Sequence, residues 1–84
     1  MDLKSIGNSI KERRKSLNVN QQTLSELAGV AINTLVAIER GEGNPKITTL
    51  LTILDTLGLQ FDINLKQLEY ETVWIIKKEL LAIL

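Results

Sequence analysis

From Leu3 to Leu17 the apolar residues Leu3, Ile6, Ile10 and Leu17 recur on one helical stripe, while Lys11, Glu12, Arg13 and Lys15 fill the positions between them. The spacing predicts an amphipathic helix of about four turns. Asn18-Val19-Asn20 breaks the pattern, and Asn20 is placed to cap a second helix over 21–28 with Leu24 and Leu27 inward. Gly29 ends it, and a third helix with Leu35 and Ile38 inward runs to Arg40, where Gly41 can adopt the left-handed conformation of a helix terminus. After the loop residues 41–45, the residues Ile47, Leu50, Leu51, Leu54 and Leu57 trace one face of a fourth helix closed by Gly58. The period then changes. Leu59, Phe61, Ile63 and Leu65 alternate with Gln60, Asp62, Asn64 and Lys66, which predicts a half-buried strand over 59–66. From Glu69 to Leu84 a last helix is expected, with Val73, Ile76, Leu80 and Ile83 at heptad-like spacing and Tyr70, Trp74, Leu81 and Leu84 on a neighbouring face.

A single strand cannot satisfy its own backbone, and the partner always present at equal concentration is the same strand of a second copy. The pattern therefore predicts a homodimer whose interface comprises Leu59, Phe61, Ile63, Leu65, Val73, Trp74, Ile76, Leu80 and Ile83. Length agrees, since a chain of 84 residues buries only about two-thirds of its unfolded surface and gains from a second copy.

Composition narrows the chemistry. With no Cys and no His, the chain has no disulfide, thiol nucleophile, Cys/His zinc site or Ser-His-Asp triad. The carboxylates have no spacing that suggests an acid/base pair or a metal cage, so neither an enzyme nor a cofactor is expected. Gly41-Glu42-Gly43 lacks the rest of a phosphate-loop fingerprint and follows a helix rather than a strand, so it reads as a helix stop and turn. No targeting segment or membrane span is legible, and a soluble, cytoplasmic protein is expected. Net charge is zero, but residues 1–47 carry seven basic and five acidic side chains while residues 48–84 carry three and five. That imbalance favours an anionic partner only mildly.

Two short helices joined by a tight glycine turn over 21–40 have the outline of a helix-turn-helix, whose second helix enters the DNA major groove. The residues Ile6-Gly7, Arg14, Val19-Asn20-Gln21, Leu24, Leu27-Ala28-Gly29-Val30, Thr34-Leu35, Ile38-Glu39-Arg40-Gly41, Asn44-Pro45, Leu50 and Leu57-Gly58 resemble the Cro/lambda-repressor-like, or XRE, DNA-binding domains without a gap from 6 to 58. The following segment is similar to that of the HipB-like antitoxins, which pair a strand across a dimer. The expected fold is all-α, a lambda-repressor-like domain of four core helices over 1–58, with a C-terminal dimerisation strand and helix over 59–84.

The resemblance implies roles residue by residue. Asn20, Gln21 and the neighbouring Gln22 would lie against phosphates at the start of the second helix. Asn20 suits a plain helix cap equally, and both glutamines suit solvated surface. Ala31, Ile32, Asn33, Thr34, Val36 and Ala37 would face the groove, with Asn33 the side chain able to make a bidentate contact to adenine. Arg40, Asn44 and Lys46 would contact backbone phosphates, and Arg14 with Glu39 would form a structural pair, although Arg14 suits a DNA contact equally. The implied function is a repressor on a palindromic operator, and by family an autoregulating antitoxin with a HipA-like toxin as partner. One departure stands out: Ala31, Ile32, Val36 and Ala37 occupy positions where the family carries a serine cap and polar or basic readers. These apolar residues suit thymine methyl groups. They suit equally an alternative in which the scaffold has become a protein-interaction module without specific DNA binding.

Overall fold

Asp2 starts the first helix through a reciprocal cap, its carboxylate accepting the Ser5 amide at 2.7 Å while the Asp2 amide donates to Ser5 Oγ at 3.2 Å. The amide bond favours the ionised carboxyl and holds it below its ordinary pKa. The computed structural model describes residues 2–63 and 70–83. Within them lie helices α1 (Leu3–Ser16), α2 (Gln21–Ala28), α3 (Ile32–Glu39), α4 (Ile47–Thr56) and α5 (Tyr70–Ile83). Among the described residues none is in a strand, and no helix is long and apolar enough to cross a membrane.

The turns follow from local chemistry. Gly29, at φ 69°, turns the chain between α2 and α3 in a conformation that costs a residue with a Cβ about 1–2 kcal/mol. At the end of α3, Gly41 donates to the Ile38 carbonyl at 3.0 Å and Glu42 to the Ala37 carbonyl at 2.9 Å, a Schellman-type closure that satisfies both of these carbonyls. Past α4, the Leu59 amide donates to the Leu54 carbonyl at 2.8 Å and folds Leu59 back onto the core.

That core joins Ile10 of α1, Leu24 and Ala28 of α2, Leu35 and Ile38 of α3, and Leu50, Ile53, Leu54 and Leu57 of α4 and its cap. Helix α1 packs on α3, and α2 packs on both α3 and α4. Four helices thus enclose one apolar centre, and α3 is held from two sides.

Several expectations need correction. Leu27 is 68% exposed, because the buried arc of α2 runs through Leu24, Ser25 and Ala28 and leaves position 27 roughly 100° from its centre. On α4 the buried stripe is Leu50, Ile53, Leu54 and Leu57, so Ile47 and Leu51 are exposed and Ile53 is fully enclosed. The strand expected over 59–66 is not found. Residues 59–63 are neither helix nor strand, and 64–66, including Leu65, lie outside the described residues. A strand exists only with a hydrogen-bonded neighbour, and among the described residues of this chain none pairs with 59–63. Instead Leu59 and Phe61 pack on the core while Ile63 is 86% exposed. Helix α5 forms as expected, but among its described side chains none joins the core: Ile75, Ile76, Leu80, Leu81 and Ile83 are all exposed. The side chains of Val73 and Trp74, with Glu69 and Leu84, lie outside the described residues.

Candidate nucleic-acid interface

Helix α3 divides cleanly into two faces. Leu35, Ile38 and Glu39 are buried, while Ile32, Asn33, Val36, Ala37 and Arg40 follow one another around the opposite side at the i, i+1, i+4, i+5, i+8 spacing of an outward stripe. Asn33, Thr34 and Arg40 are exposed; Ile32, Val36 and Ala37 are half-buried at the margins. Asn33, Thr34 and Ala37 also line a shallow groove whose other wall is Glu42, Gly43, Asn44 and Pro45. Lys46, the residue that precedes α4, is exposed beyond that loop.

The angle of α3 is fixed by an ion pair beneath it. Arg14 Nε and Nη2 donate to Glu39 Oε2 and Oε1, both at 2.8 Å, and Arg14 Nη1 donates to the Val19 carbonyl at 2.9 Å. The Glu39 side chain is only 2% exposed. A planar fork on a carboxylate sets orientation as well as distance, and it holds the Arg14 pKa above its ordinary value. The expected pair of Arg14 with Glu39 is thus present.

Gln21 carries a result that composition did not suggest. Its side-chain amide donates to Glu39 Oε1 at 3.2 Å, so the first residue of α2 joins the ion pair instead of standing in solvent. Asn20 caps α2 by accepting the Thr23 amide at 2.7 Å, and Gln22 donates to Glu26 along the helix surface at 2.9 Å. Arg13, which the sequence pattern assigns to the solvated side of α1, donates to the Leu57 carbonyl at 3.0 Å and so ties α1 to the end of α4. The signal for it is general, since an arginine suits a helix C-terminus.

Ala31 stands at the cap position of α3 in extended backbone (φ −65°, ψ 141°) with no side-chain bond to the helix amides. Ala31→Ser should supply that bond and raise stability by about 1 kcal/mol. A rise of roughly 4–8 °C in Tm by circular dichroism is the expected reading, and an unchanged Tm would show that the amides are already satisfied by water.

A helix-turn-helix family model matches residues 10–64, which covers α2, the turn and α3 in one register. The chain belongs to this family, of the XRE type. It is 36% identical over 58 residues to the HTH-type transcriptional regulator y4mF of Sinorhizobium fredii, covering 69% of this chain and 76% of that one. An HTH-type transcriptional regulator of Haemophilus influenzae is 33% identical over 58 residues, covering 69% of this chain and 57% of its own length. Among solved structures, the restriction-modification controller protein C.AhdI of Aeromonas hydrophila superposes with a TM-score of 0.65 at 26% identity, over 69% of this chain and 88% of its own. A chain of a HipA-HipB-O2-O3 complex superposes with a TM-score of 0.72 at 22% identity, over 80% of this chain and 94% of its own, a likeness of fold. This helix-turn-helix protein is therefore a DNA-binding regulator by family, and the relatives carry regulatory rather than enzymatic names.

Proposed function

We propose that this chain is a sequence-specific repressor that binds a palindromic operator as a homodimer in the cytoplasm. The observation that carries it is the outward stripe of α3, centred on Asn33 and fixed in orientation by the buried Arg14–Glu39 pair. In this reading Asn33 reads a base edge. Thr34, Ile32, Val36 and Ala37 fit the groove around it, and Asn20, Gln22, Arg40, Asn44 and Lys46 hold phosphates. Gln21 contributes by holding Glu39 from α2, which ties the phosphate-facing helix to the reading helix. The two recognition helices of the dimer would stand about 34 Å apart, in successive major grooves. The second copy covers apolar residues that the monomer leaves wet, among them Ile76, Leu80 and Ile83 of α5.

At a finer grain, the proposal makes the protein an autoregulating antitoxin with a HipA-like toxin as its protein partner. The fold likeness to a chain of the HipA-HipB-O2-O3 complex supports it, as do Ile75 and Leu81 of α5, exposed and outside the proposed dimer contact.

Fluorescence anisotropy tests the DNA proposal, using a duplex from upstream of its own gene against a scrambled duplex across a salt series. Preference for the native site, with log affinity falling linearly in log salt, is expected. Asn33→Ala should relax sequence preference with a loss of about 1–3 kcal/mol at one position, whereas Lys46→Ala should weaken all duplexes alike and lower the salt slope by about one. Equal, feeble binding to both duplexes would instead favour the protein-interaction module.

A further inference from the structure

The outward stripe of α3 contains three aliphatic side chains, Ile32, Val36 and Ala37, around Asn33 as its only amide. Aliphatic groups neither donate nor accept a hydrogen bond. Set against a guanine or cytosine edge, they would leave base donors and acceptors dry and unpaired. The one apolar group on any base edge in the major groove is the 5-methyl of thymine. Ile32 and Val36 lie one turn apart on the same edge of the stripe, with Ala37 across from them on the far side of Asn33.

We infer that this protein recognises its operator through thymine methyl groups, each half-site presenting one adenine to Asn33 and at least two thymines to Ile32 and Val36. The inference rests on the DNA-binding function proposed above and assigns its sequence class, A·T-dominated at the centre of each half-site. Arg40, on the same stripe and exposed, serves the flanking phosphate. Sequence discrimination here is mostly steric and apolar. It should therefore survive high salt better than overall affinity does.

The test uses the full chain and a randomised duplex pool, from which bound sequences are selected and read. Enriched duplexes are then remade with deoxyuridine in place of each thymine in turn, which deletes one methyl and leaves base pairing intact. The expected result is an A·T-centred half-site in which two thymines each lose about fourfold in affinity on replacement, as burial of one methyl-sized group implies. Thymines elsewhere should lose nothing. In the Val36→Ser variant, which removes both γ-methyls, one of the two effects should disappear while circular dichroism still shows a folded protein. Enrichment of a site indifferent to deoxyuridine, or of a G·C-centred site, would overturn the thymine inference and leave the DNA-binding function standing. If no sequence is enriched from the pool, both fall together.

Discussion

Gly7→Ala should destabilise the fold by about 2 kcal/mol or more net, although it adds a single methyl to a helix and alanine is the better helix former. A Cβ at position 7 would lie 2.1 Å from the Ile38 carbonyl oxygen and 3.0 Å from that of Glu39. Both contacts are backbone, so no rotamer change relieves them. Helix α1 would have to move from α3 by more than an ångström, loosening the core between Ile10, Leu35 and Ile38. Overpacking of this kind costs about 3 kcal/mol or more. A chain of this length has roughly 4–13 kcal/mol in total. The gain in helix propensity, about 1 kcal/mol, does not offset it. Urea denaturation followed by circular dichroism should show the midpoint falling steeply. A wild-type midpoint would mean that α1 does not rest against the carbonyls of α3. The same contact bears on DNA reading, because those carbonyls belong to the end of the helix that carries Asn33.

What the sequence makes legible and what it hides have separate physical origins. The four core helices and their glycine stops could be placed from periodicity because burial on α1, α3 and α4 follows a 3.6-residue stripe. Leu27 escapes that logic. Its spacing fits a stripe as well as that of Leu24, and only the direction from which α3 and α4 approach α2 decides that Ser25 is enclosed and Leu27 is wet. The alternation over 59–66 is a similar case, since period two marks two unlike faces but does not provide a neighbour for the backbone. Leu59 and Phe61 meet their apolar requirement on the core of their own chain instead. Within the candidate interface, residue types single out Asn33 as the proposed reader. The inward turn of the Gln21 amide depends on where Glu39 sits and has no local signature. Gly7 belongs to the same class, because a glycine demanded by a close approach looks in sequence like any other.

Arg14→Met and Glu39→Met should each cost about 3–5 kcal/mol, while the double variant Arg14→Met/Glu39→Met should recover most of that loss. Each single change strands one charge in a place where water cannot reach it well. Without Arg14, the Glu39 carboxylate retains only the 3.2 Å bond from Gln21. Without Glu39, the guanidinium retains only the Val19 carbonyl. Losing one partner of a buried pair leaves the full desolvation cost of the other, whereas replacing both with apolar groups of similar length removes both costs. Equilibrium denaturation of the three variants gives a coupling energy directly, and additive losses would show that the pair is screened by solvent. DNA affinity should part company with stability in the double variant. Its α3 remains packed through Leu35 and Ile38 but has lost both the fork from Arg14 and the anchor of Gln21, so the reading helix is free to pivot. Folded protein that has lost operator preference would identify the ion pair as a device for orientation, since hydrophobic replacement can match its contribution to stability but not its geometry.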